Sequence, residues 1–180
     1  MKLPRIPLSA RTLAGAACAA LCLAPIASNA QTAAKPVANT PYAIGAQRSG
    51  VDKCIGRINQ VTSFLTGANA NSGIMLNSPT SDVNQKIATA IIEVEGGGVS
   101  SFVSASFAPG PGAGDCSATY DAVTYWQASC SQVASSNFAA FKPTRPLLKS
   151  VSTLDGGPTT KIFLMPAGSG CVSIKKEILY

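Results

Sequence analysis

The chain has 180 residues, with 14 Lys and Arg against 8 Asp and Glu, no histidine and a formal charge of +6. Without an imidazole, triads that use histidine as their base cannot be built. The basic residues do not cluster beyond Lys175-Lys176, so the electrostatic footprint of a nucleic-acid binder is missing and no nucleic-acid partner is expected.

The first thirty residues read as an export leader. Lys2, Arg5 and Arg11 form a positive n-region, Leu13 to Ile26 is an Ala/Leu-rich apolar run, and Ser28-Asn29-Ala30 supplies small residues before a cut at Gln31. At roughly 14 residues the run is shorter than the ~20 a spanning helix needs, so no stable membrane span is expected after cleavage. Acylation at Cys18 or Cys22 is disfavoured by Gly15, three before Cys18, and by Leu21, directly before Cys22. A periplasmic or secreted protein follows. Losing residues 1–30 and their three basic residues leaves 150 residues, 11 Lys and Arg and a charge of +3, enough for one domain.

Residues 31–50 are Ala, Pro, Thr and Asn with one Tyr and no periodicity, and read as a flexible arm. From Val51 the pattern turns helical: Asp52 as cap, then Cys54, Ile58, Val61 and Leu65 on one stripe, ended by Gly67. Residues 68–84 form a connection in which Ile74-Met75-Leu76 can dock as a short extended piece. Strands are expected at Lys86 to Val94, at Val99 to Phe107 after the Gly96-Gly97-Gly98 turn, and at Cys116 to Trp126. Ser129 can cap a second helix with the stripe Cys130, Ala134, Phe138 and Phe141, stopped by Lys142-Pro143. Strands then follow from Leu147 to Leu154, from Lys161 to Met165 and from Cys171 to Tyr180.

One stretch recurs. Glu95 opens a Gly turn, a β-rich run ending Phe107-Ala108-Pro109, a Gly-rich loop, and a strand from Cys116 to Tyr125. Asp155 opens Gly156-Gly157, a run ending Leu164-Met165-Pro166, a Gly-rich loop, and a strand from Cys171 to Tyr180. The expected fold is therefore α+β: a tandem α-β-β-β repeat, units 51–127 and 128–180, with two short helices packed on antiparallel sheet in a single domain at 51–180. This element order resembles that of the tandem helix-plus-sheet inhibitor proteins of bacteria, such as the β-lactamase inhibitory proteins, and of small envelope-assembly proteins. The resemblance is one of order, and no functional residues come with it.

Four cysteines remain in the mature chain, Cys54, Cys116, Cys130 and Cys171, an even count that reads as two disulfides in an exported protein. No pair has metal-ligand spacing, so neither zinc nor another cofactor is expected. A strand of about ten residues, roughly 33 Å, separates Cys116 from Cys130, which leaves two connectivities. An antiparallel run of the second helix against the following strand favours Cys54–Cys130 with Cys116–Cys171 over Cys54–Cys116 with Cys130–Cys171.

Chemistry is sparse. Glu93 and Glu95 share a strand face about 6.6 Å apart, the raw material of glycosidase work, but also an ordinary solvated strand end. Both Gly runs lie between strands and read as hairpin turns. Tyr120 and Trp126 share a strand face and Tyr125 takes the other. Two functions remain: a non-catalytic protein that binds another protein of the envelope or exterior, or a small-ligand binder or hydrolase with its site between the units. The surface residues singled out for the first are Glu93, Asp121, Lys161, Lys175 and Lys176.

Overall fold

A single eight-stranded sheet, antiparallel throughout, dominates the computed structural model, which describes residues 39–79 and 81–180. The leader, its cut site and residues 31–38 lie outside the described residues. The chain runs α1 (Pro41–Arg48), α2 (Ile55–Thr66), β1 (Ala70–Leu76), a 3-10 turn (Val83–Gln85), β2 (Ala88–Gly96), β3 (Val99–Pro109) and β4 (Cys116–Trp126). It continues with α3 (Cys130–Asn137), β5 (Lys142–Thr144), β6 (Ser152–Asp155), β7 (Thr160–Ala167) and β8 (Gly170–Leu179). The spatial order is β1-β2-β3-β4-β8-β7-β6-β5. The α+β class with two disulfides holds, and the sheet outweighs the helices.

The helices lie on one face of the sheet. Alternation decides that face: Ala88, Ala90, Ile92 and Val94 of β2, with Val103, Ala105 and Phe107 of β3, pack against Tyr42, Ala43, Ile55, Ile58 and Val61 of α1 and α2. A second, smaller cluster joins Val133 of α3 to Leu154, Ile162, Leu164 and Cys171. The β2–β3 turn uses Gly97 and Gly98 at φ 60° and 80°, a left-handed pair that suits the twist of a two-residue hairpin. Ser129 caps α3 as expected, and Gln132 returns the bond in a capping box.

Several expectations are corrected. The flexible arm ends sooner: residues 41–48 are a helix whose Tyr42, Ala43 and Ala46 are buried. Its signal was the Thr40-Pro41 cap, with the Thr40 side chain accepting from the Ala43 N–H, while small alanines gave too weak an apolar stripe to register. Cys54, not Asp52, stands at the N-cap of α2. α2 and α3 are each followed by four strands rather than three, because Ala70–Leu76 and Lys142–Thr144 add outer strands. The strand expected from Leu147 shrinks to Ser152–Asp155. The second helix stops at Asn137, leaving Phe138 and Phe141 to stack edge to face beneath it.

The favoured disulfide pairing is also overturned: the bridges are Cys54–Cys116 and Cys130–Cys171. The reason is the β4–β8 pairing, which sequence alone does not reveal. It sets Trp126 opposite Cys171, and α3 begins four residues beyond Trp126, so Cys130 lands beside Cys171. Cys116 sits at the other end of β4, roughly 34 Å away along the strand, where it meets the start of α2.

Candidate functional site

The other face of the sheet carries no helix among the described residues, and the registers lay out its side chains in rows. Phe102 faces Val123, Val123 faces Ile174, and Ile174 faces Phe163, an apolar ladder across β3, β4, β8 and β7. The row above it sets Tyr125 beside Val172 and Val172 beside Met165. Phe102 is 52% exposed, Tyr125 45% and Met165 39%, so this strip faces water although its residue types suit a core.

The row below the ladder is charged. Asp121 faces Lys176, Lys176 faces Lys161, and Lys161 faces Asp155. Lys176 Nζ lies 2.9 Å from Asp121 Oδ2, and Lys161 pairs with Asp155, so each lysine is neutralised by its own acid. The hydrogen bond from Lys161, helped by the N–H of Gly157, holds the Asp155 carboxyl below the usual carboxylate range.

Of the five surface residues singled out from sequence, three meet in this row: Asp121, Lys161 and Lys176. Glu93 projects from the same face two strands away, with Ser100 donating to it at 3.5 Å, and Glu95 stands beside it. Lys175 belongs to the opposite face, because neighbours along a strand point apart. Its ammonium pairs with Glu177 at 2.9 Å and lies 5.5 Å and 5.4 Å from the ring centres of Phe64 and Tyr120.

That second cluster, missed in the sequence, sits where β4 meets β8. Tyr120 and Glu177 are direct cross-strand neighbours, and the buried Tyr120 hydroxyl donates to Glu177 Oε2 at 2.5 Å. Burial, then the hydrogen bond to Glu177, pushes the Tyr120 phenol far above its ordinary value. Burial alone would raise the Glu177 carboxyl, but bonds from Tyr120 and Lys175 outweigh it and hold it below the usual range. The polar atoms of this group are committed to one another, which suits a pin between strands better than an acid–base pair awaiting substrate.

No groups of three or more His, Cys, Asp or Glu that could hold a metal occur among the described residues, and none of the described helices is long and apolar enough to cross a membrane. The chain matches no known protein family, no characterised protein and no solved structure. What the surface can do is therefore read from its residues.

Proposed function

We propose that this is an exported, non-catalytic protein that docks another folded protein of the cell envelope or exterior on the helix-free face of its sheet. The observation that carries this reading is the ladder Phe102–Val123–Ile174–Phe163 with exposed Tyr125 and Met165 above it. The four ladder strands and β2 beside them at ~4.8 Å, over seven residues at ~3.4 Å, give about 570 Å², the size of a small, transient interface of under ~600 Å² per partner. An apolar centre beside a row of paired charges has the anatomy of such an interface: the centre supplies affinity and the charged rim supplies register.

Export is supported by the leader pattern and by two disulfides, which persist in oxidising compartments. The strand order reads the same from either edge through β4 and β8, each half bringing four strands, one bridge and a helix directly before them, α2 or α3, with α1 additional to the first. That symmetry supports a tandem duplication with units near 51–127 and 128–180 in one domain. Fusing two units through their last strands doubles the width of the open face, which is what a protein-docking surface needs. A second reading, a small-ligand or hydrolase site between the units, has only Lys175, Glu177 and Tyr120 to recommend it, and these are already bonded together.

The test is face-specific capture from an envelope fraction. Phe102→Asp places a charge at the β3 end of the ladder, where Phe102 is 52% exposed; Phe64→Ser removes an apolar ring on the helix side, where Phe64 is 67% exposed. A partner retained by wild type and by Phe64→Ser but lost with Phe102→Asp supports the reading. Equal retention by both variants refutes it.

A further inference from the structure

The two edges of the sheet are finished very differently. β5 is three residues long, begins Lys142-Pro143, and is followed by Arg145 and Pro146, the charge and proline that block strand addition. β1, at the far edge, has seven residues, Ala-Asn-Ser-Gly-Ile-Met-Leu, with no charge and no proline. Asn71, Ser72 and Gly73 are exposed, as are Ile74 and Leu76, and no further strand pairs with the outer side of β1 among the described residues. Half of its backbone N–H and C=O groups therefore face outward without a partner strand.

A cavity opens on each side of this edge. On the helix side one of about 380 Å³ is lined by Pro41, Tyr42, Gly45, Gly73 and Met75. Tyr42 holds its floor, donating to Asn71 Oδ1 at 2.8 Å, and a Cβ at Gly73 would come within 3.0 Å of the Tyr42 ring. On the open side one of about 210 Å³ is lined by Ala70, Asn71, Ser72, Glu93 and Glu95. A strand laid along β1 sends alternate side chains to the two faces, so one set enters the α1 cavity and the other meets Ile74, Leu76 and the acidic cavity.

We propose that β1 is a strand-addition site for an extended segment of another protein, apolar where it passes Ile74 and Leu76 and basic where it passes Ala70 and Ser72. Charge sets the second requirement. Glu93 and Glu95 make no ion pair among the described residues, and β1 puts only Ser72 and Ala70 in front of them. An added strand would lie about 9.6 Å from β2. A lysine stem reaching about 6 Å and a glutamate about 3.5 Å close that gap over the two small side chains. A second copy of this chain fits less well. Pairing β1 with β1 buries a strip about 24 Å long and one strand wide, far below the ~800 Å² per partner of a stable dimer, and brings no basic residue to Glu93 and Glu95. The site is separate from the ladder on the open face, and either can fail without the other.

The probes are two acetylated, amidated peptides of alternating Thr and Val, one with two lysines at its C-terminal end and one with them at its N-terminal end, so that both strand directions are sampled. Each is titrated into the isotope-labelled protein with both disulfides formed, and backbone amide shifts and exchange rates are followed. The expected result is a saturable change confined to residues 70–76 and 41–48 with one of the two peptides. It should weaken about fivefold or more in the Glu93→Lys/Glu95→Lys double variant, from two exposed ion pairs replaced by repulsions, and be lost in Ile74→Lys. The proposal is overturned by no change at low millimolar peptide, by changes centred on β3, β4 and β8, or by unaltered binding in the double variant. It is also overturned by a concentration-dependent dimer that Ile74→Lys abolishes, which would make a second copy the occupant.

Discussion

Removing one oxygen tests how the two halves of the sheet are held. In Tyr120→Phe the ring keeps its place, 1% exposed between α2 and the sheet, and only the bond to Glu177 across β4 and β8 is lost. A hydrogen bond to a charged acceptor contributes about 1.5–3 kcal/mol. Glu177 keeps Lys175 at 2.9 Å and its side chain is 21% exposed, so water and the ammonium take up part of the loss and the cost falls at the lower end, about 1.5 kcal/mol. For a domain of this size that lowers the melting temperature by about 5 °C. Urea and thermal unfolding followed by circular dichroism measure it. Tyr125→Phe is the control, since the Tyr125 side chain faces the open side and is 45% exposed; its cost should stay within about 0.5 kcal/mol. If Tyr120→Phe is as stable as wild type, or Tyr125→Phe costs as much, the pin between β4 and β8 does not contribute as described.

Non-reducing proteolytic mapping should return Cys54–Cys116 and Cys130–Cys171 peptides, and any peptide joining Cys116 to Cys171 would contradict the β4–β8 register. Replacing both cysteines of either bridge by serine should cost about 4 kcal/mol on the chain-entropy estimate for separations of 62 and 41 residues. Stability should be level from neutral pH down to about 5 and fall below about 4. The folded-state carboxyls of Glu177 and Asp155 are depressed, so their contribution is complete above the ordinary carboxylate range and is lost as pH drops through the folded values. A Glu177→Gln variant should show a shallower acid limb in the same titration. Intact mass of protein recovered from a periplasmic extract should correspond to a chain starting at Gln31, and a mass that retains residues 1–30 or a lipid on Cys18 or Cys22 would contradict the export route.

Local signals in the sequence located much of the fold. Branched residues on both faces marked β2, β-rich runs marked β3 and β4, the Gly96-Gly97-Gly98 run marked a hairpin, and Ser129 marked the start of α3. What stayed hidden was the pairing of elements distant in sequence. That β4 lies beside β8 follows from no local pattern, yet it fixes the disulfides, joins Tyr120 to Glu177 and aligns Phe102, Val123, Ile174 and Phe163 into one ladder. β1 was hard to see because Asn71, Ser72 and Gly73 are poor strand formers that are held by pairing with β2. The charged row was half legible: Asp121, Lys161 and Lys176 could be suspected of exposure one by one, but Lys175, their neighbour in sequence, turns to the other face.

The most direct test of the docking face uses a photo-reactive amino acid in place of Phe102 on the ladder and, separately, in place of Ser136, exposed on α3. Each protein is exported, irradiated in intact cells and probed for adducts. The expected result is a discrete covalent adduct with one protein from position 102 and none from position 136. Adducts from position 136 alone, or from neither position, would contradict a partner seated on the helix-free face.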